Sequence, residues 1–116
     1  MDLLTTTVTN GESRGQPYTL VALAGEADVT TSEMLRDLLE AHIARKPVKL
    51  IIDLAALRFM DSTALHVILT ASRSLARQRG TFALASPTRV VASMLRLSQA
   101  ARMVPVYECL QEALAG

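Results

Sequence analysis

Residues 61–63, Asp-Ser-Thr, place a carboxylate and two hydroxyls directly before a run of apolar residues at helical spacing. Asp61 has the chemistry of a helix N-cap, because its carboxylate can accept the unpaired N–H groups of the first turn. Ser62 then takes the first helical position, and its hydroxyl is predicted to face water. An anion is favoured at such a position by the helix dipole and the free N–H groups, so Ser62 could accept a phosphate without disturbing the fold.

The same residues also satisfy ordinary helix capping, which outweighs a modification site roughly four to one on spacing alone. His66 follows Ser62 by one helical turn, so a contact between the two side chains is conceivable. A catalytic dyad would still lack an orienting third group and an oxyanion hole. No phosphate-binding glycine motif or nucleophile elbow is present either. The sequence therefore predicts a protein that is not an enzyme.

The composition limits the remaining classes. A chain of 116 residues with 50% hydrophobic residues predicts a single globular domain, 1–116. With a net charge of +1 and 3% aromatic residues, the chain shows neither the excess of basic residues nor the aromatic residues for base stacking that are typical of direct nucleic-acid binding. No signal sequence or bilayer-length apolar segment is found, and Cys109 is the one cysteine, so we expect a cytoplasmic protein without membrane insertion. No spacing of metal ligands appears, and no cofactor is expected.

The first half of the chain predicts a hairpin and a helix. Residues 3–9 and 18–24 have strand patterns, the polar segment 10–17 fits a loop, and Gly25 ends the second strand. A helix then runs to about Ala44. Thr30 and Glu33 fit a capping box at its start. Its predicted buried stripe is Met34, Leu35, Leu38, Leu39 and Ile43.

The second half alternates strands and helices. Residues 48–54 predict a central strand, 55–60 a connector, and 81–85 a further strand after the helix from Ser62. Pro105 marks residues 104–107 as an edge strand. Residues 86–88, Ser-Pro-Thr, are predicted to start a further helix. A last helix is predicted over 108–115, with Leu110 and Leu114 buried and Cys109 as a packing residue. Alternation of this kind predicts an α/β fold with a mixed, mainly parallel sheet, an N-terminal antiparallel strand and about four helices.

Residues 60–65, Met-Asp-Ser-Thr-Ala-Leu, resemble the phosphorylation loop of the STAS-domain anti-sigma-factor antagonists, whose pattern is roughly Asp-Ser-Ser/Thr-Gly-Leu-Gly. Ala64 and His66 stand where that family usually has glycine. Asp28 matches an aspartate that lies near the phosphorylated serine in the family, although on the residues alone it fits a turn equally well. The family's terminal Leu-x-x-Ala-Leu matches residues 110–114, whereas the glycine of its Leu-Thr-Gly is replaced by Gln99.

The resemblance implies a STAS-like single domain that binds a serine-kinase anti-sigma factor of the GHKL type and so releases a sigma factor. Phosphorylation of Ser62 by that kinase would switch binding off. The residues it implies for partner binding are Asp28, Asp61, Ser62, Thr63, Ala64 and His66. An accessory subunit of a membrane transporter, of the ABC or anion-permease type, is the alternative, because such subunits share the fold. Whether the chain forms a homodimer is left open.

Overall fold

The computed structural model describes residues 4–116, in which strands and helices alternate after an initial hairpin. The elements are β1 (Leu4–Ser13), β2 (Gln16–Ala27), α1 (Ser32–Ile43), β3 (Lys49–Met60), α2 (Ser62–Arg77), β4 (Thr81–Ala85), α3 (Arg89–Leu97), a 3₁₀ turn (Ala100–Arg102), β5 (Val106–Tyr107) and α4 (Leu110–Ala115). The sheet order is β1-β2-β3-β4-β5. β1 is antiparallel to β2, and the other pairs are parallel. This confirms the predicted fold class.

The N-terminal hairpin is longer and tighter than predicted. The predicted loop over 10–17 is wrong, because the two strands stay paired as far as Ser13 and Gln16. Only Arg14 and Gly15 form the turn, and both have positive φ, 54° and 80°. Two-residue turns of this kind match the twist of the flanking strands, which is why they close hairpins tightly. Leu3, the first residue of the predicted strand, lies outside the described residues.

β2 and β3 also extend beyond their predicted ends. Gly25 does not end β2, and the predicted connector 55–60 is wrong, because the strands remain paired to Ala27 and Met60. Their register shifts twice, between Ala22 and Ala24 and after Gly25, whose φ is 103°. Bulges break the alternation of side chains that identifies a strand in a sequence. The extension brings β3 directly to Asp61, with no loop between the strand and α2.

The larger core lies on one face of the sheet, under α1, α2 and α3. Leu35, Leu39 and Ile43 of α1 are buried there, as predicted. Met34 is 42% exposed, so its place in the buried stripe is wrong. The buried members of α1 recur every four residues and follow the face of the helix that meets the sheet; Met34 precedes Leu35 and falls outside it.

The other face of the sheet is covered by α4, a helix of six residues. Ala113 is fully buried there, while Leu110 and Leu114 are partly buried. The predicted packing role of Cys109 is wrong, because this residue is exposed at the N-cap of α4. No helix within residues 4–116 is both long and apolar enough to cross a membrane.

Lys49 attaches α4 to the first residue of β3. The lysine is 6% exposed, and its Nζ donates to the carbonyl oxygens of Leu114, at 3.1 Å, and Gly116, at 2.7 Å. A cation placed on the last carbonyls of a helix satisfies acceptors that have no partner within the helix. The contact spans more than sixty positions of the chain, so nothing in the local sequence indicates it.

Candidate phosphorylation and partner-binding site

Asp61 caps α2 as the sequence predicts. Its backbone is extended, with φ −98° and ψ 179°, and its Oδ1 accepts the N–H of Ala64 at 3.0 Å. The main-chain oxygen of Asp61 accepts the N–H of Leu65, also at 3.0 Å. The chain thus turns from strand to helix at this one residue, and the cap uses a carboxylate oxygen rather than the neighbouring hydroxyls.

The second carboxylate oxygen of Asp61 binds a different segment. Its Oδ2 accepts the N–H of Val29, in the β2–α1 loop, at 3.0 Å. The N–H of Asp61 also donates to the main-chain oxygen of Ala27 at 3.0 Å. Asp61 therefore ties the start of α2 to the loop that carries Asp28. Sequence reasoning missed this role because the partner lies 32 positions away.

The β2–α1 loop is organised around Asp28. Its Oδ1 accepts the hydroxyl of Thr30 at 2.6 Å and the N–H of Thr30 at 2.9 Å, and its own N–H donates to Thr31 Oγ1 at 3.0 Å. The Thr30 hydroxyl, with smaller contributions from the N–H groups of both threonines, holds the pKa of Asp28 below its ordinary value, against a smaller desolvation effect. The carboxylate is therefore ionised at neutral pH.

These bonds overturn the predicted capping box of α1. Thr30 does not cap the helix, because its side chain and N–H are both engaged by Asp28. The N-cap position belongs to Thr31, and Ser32 begins the helix. The aspartate competes successfully for the threonine hydroxyl because it lies two residues away and is charged.

Ser62 is exposed at the first position of α2. Its hydroxyl makes no hydrogen bond to residues 4–116, so it has no structural duty in the described chain. Thr63 is half-buried and His66 is exposed. Ala64 is fully buried, so at this surface it provides the N–H held by Asp61 and no side chain.

A groove of about 440 Å³ runs between α1 and α2 and begins one turn beyond Ser62. Its α2 wall carries a polar row at four-residue spacing, and its α1 wall contributes Arg36 and Glu40. The floor includes buried apolar residues such as Leu39 and Val67. The polar row consists of His66, Thr70, Ser74 and Gln78. Of the residues that the sequence predicts for partner binding, His66 is the one that lines this groove.

Comparison with known proteins identifies the family. Residues 9–113 match the model of the STAS domain. The chain belongs to the STAS domain family. An anti-sigma F factor antagonist of Paenibacillus polymyxa is 31% identical to this STAS domain over 90 residues, 77% of either chain. The anti-sigma-F factor antagonist RsfB of Mycobacterium tuberculosis is 28% identical over 112 residues, which cover 95% of this chain and 88% of RsfB.

The fold comparison agrees. The crystal structure of an anti-sigma factor antagonist from Mycobacterium paratuberculosis superposes with a TM-score of 0.82 at 25% identity, covering 96% of this chain and 92% of that one. The resemblance of residues 60–65 to the STAS-domain family is therefore confirmed at the level of the family. The roles of individual site residues in this STAS domain remain predictions.

Three exposed apolar side chains lie at the carboxyl ends of the parallel strands, the edge of the sheet where α2 begins, and the sequence did not indicate them. Val29 is 66% exposed in the loop held by Asp61, and Phe59 is 44% exposed near the end of β3. Val90 is 57% exposed at the start of α3, where Thr88 donates to the main-chain oxygen of Leu57 at 3.0 Å. Of the three, Phe59 lies on the extension of β3, which the sequence pattern did not reveal. Exposed apolar residues grouped around a polar site are typical of a protein-binding surface.

Proposed function

We propose that this STAS domain is an anti-sigma-factor antagonist, which binds a serine-kinase anti-sigma factor of the GHKL type in the cytoplasm and so releases a sigma factor. The observation that carries the proposal is the exposed hydroxyl of Ser62 at a helix start that Asp61 already caps. The curated relatives at 28–31% identity, both named as antagonists, support it. No contact in the described residues favours the transporter alternative.

Phosphorylation of Ser62 is the proposed off-switch. The Ser62 oxygen would attack the γ-phosphorus of ATP held by the kinase, the bond to ADP would break, and the hydroxyl proton would pass to a base of the kinase. Because Asp61 supplies the cap and the Ser62 hydroxyl supplies no bond to the described chain, modification removes no stabilising contact. A charge change at the surface then acts on binding rather than on folding.

The proposed partner surface joins polar and apolar groups at the Ser62 end. Asp28, Asp61, Ser62, Thr63 and His66 supply the polar part, and Ala64 supports it through its backbone. The exposed side chains of Val29, Phe59 and Val90 supply apolar contact area around it. A dianionic phosphate would have to be desolvated against a partner that fits the bare hydroxyl, and burying an unpaired charge is costly.

A kinase assay with matched variants tests the acceptor. The cognate kinase is first identified by co-purification with the tagged domain from its host. Wild type and Thr63→Ala should then be modified by kinase and ATP, while Ser62→Ala should not, as measured by intact-mass and peptide mass spectrometry. Thr63→Ala is the control because it removes the adjacent hydroxyl. Phosphate found mainly on Thr63, or capture of a transporter ATPase in place of a kinase, would contradict the proposal.

A further inference from the structure

His66 lies one helical turn after Ser62 on the outer side of α2, and both side chains are exposed. Residues four apart on a helix are neighbours, and helical side chains lean toward the N-terminus. The imidazole of His66 is therefore within reach of the turn that carries Ser62.

Two of the backbone N–H groups at the start of α2 are already occupied, so the helix start compensates a phosphate on Ser62 only in part. The N–H of Ala64 is occupied by Asp61 Oδ1, and the N–H of Leu65 by the main-chain oxygen of Asp61. The carboxylates of Asp61 and Asp28 on the loop side add negative charge that opposes a dianion. Further compensation for a phosphoryl group on Ser62 has to come from side chains, and the groove side carries Arg36 and His66.

The groove carries two basic side chains in matching turns of its two helices. Arg36 is in the second turn of α1 and His66 is in the second turn of α2, and both line the groove. The helices run in the same direction because each connects parallel strands. Glu40, the acidic residue of the groove lining, is one turn further from the Ser62 end than Arg36.

We propose that His66 is a built-in counter-ion for the phosphoryl group on Ser62, with Arg36 as a second cation across the groove. The proposal rests on the proposed phosphorylation of Ser62 and adds how the modified state is regulated. Histidine changes charge between about pH 5 and 8. A protonated His66 compensates the phosphate more fully than a neutral one, so the repulsion of a partner is weaker in the protonated form.

Phosphorus NMR of a domain with genetically encoded phosphoserine at position 62 tests this directly. The second ionisation of phosphoserine lies near about pH 6, and a nearby cation moves it to lower pH because it favours the dianion. We expect the ionisation midpoint to rise by about half a pH unit or more in His66→Gln, as for a charge about 5 Å away in water. The matched control is His42→Gln, in the last turn of α1, which should leave the midpoint unchanged.

A cycle of four variants, with and without phosphoserine and with and without His66, compared by Tm at pH 6, provides an independent test. His66→Gln should lower Tm more in the phosphoserine form than in the serine form, while His42→Gln lowers both equally. A His66→Gln titration that overlays wild type, or a midpoint that responds to Arg36→Gln alone, would overturn the assignment of His66. Because the phosphoserine is encoded, these results do not depend on a kinase. A failed kinase reaction would instead refute the proposed function.

Discussion

Replacing Asp61 by alanine removes two hydrogen bonds that connect separate segments. One is the cap on the N–H of Ala64, and the other is the bond from the N–H of Val29. Loss of an N-cap costs about 1 kcal/mol. The Val29 bond contributes about 0.5 kcal/mol, the low end of the usual range for a hydrogen bond, because Val29 is exposed and water can replace the carboxylate. The expected loss in the free energy of unfolding is therefore about 1.5 kcal/mol.

For a domain of this length, each kcal/mol corresponds to roughly 4 °C in Tm. Asp61→Ala should therefore melt about 6 °C lower by calorimetry or circular dichroism, if the cap and the loop bond act as described. Urea titration should give the same loss with an unchanged m-value, because the surface exposed on unfolding stays the same.

Asp61→Ser separates the two bonds. A serine hydroxyl can cap the N–H of Ala64 but is too short to reach Val29 at the same time. This variant should lose only the smaller part of the stability, and the amide of Val29 should exchange with solvent faster than in wild type. Melts of Asp61→Ala that overlay wild type would refute the capping argument. An unchanged exchange rate for Val29 in Asp61→Ser would refute the bridge.

Three further outcomes are expected. Ser62→Asp should fold normally yet bind the anti-sigma factor at least about tenfold more weakly by calorimetry, whereas Ser62→Ala should bind like wild type; equal affinities would exclude charge as the switch. Gln99→Gly should raise the free energy of unfolding by about 0.5 kcal/mol in urea melts, because Gln99 has φ 64°, a backbone conformation that glycine adopts without strain. Because the pKa of Asp28 is lowered in the folded state, its carboxylate stabilises the fold fully at pH values above its ordinary pKa of 3.8. This stabilisation is lost as the pH falls through the pKa of the folded state. Asp28→Asn should therefore differ from wild type more at pH 6 than at pH 3 in urea melts.

Local rules predicted the parts of the site that depend on near neighbours. The Asp61 cap follows from a residue type and a spacing of three positions, and both are visible in the sequence. The bond from Asp61 to Val29 could not be predicted, because it depends on the two segments meeting at the same end of the sheet. The prediction that Thr30 caps α1 is wrong for a related reason, since its hydroxyl binds Asp28 instead. Capping and turn formation use the same hydroxyl, and the sequence does not say which is stronger.

The fold class was predicted from the alternation of strands and helices, which stays the same when the predicted length of an element is slightly wrong. The ends of β2 and β3 were missed because register shifts displace side chains from the expected face. Because of that error, the sequence placed Phe59 in a connector. In the structure, Phe59 is an exposed strand residue beside the site. Errors at strand ends thus matter most at the edge of the sheet where function is concentrated.

The Lys49 contact has a consequence for how the molecule opens. One face of the sheet is sealed by three helices, but Ile51 and Ala83 on the other face are covered by α4. A helix of six residues is too short to persist alone in water. Lys49 and the apolar contacts of α4 therefore determine whether this face stays dry. The first cooperative unit to detach in hydrogen exchange should be α4, and its release would expose apolar side chains of the middle strands to other chains.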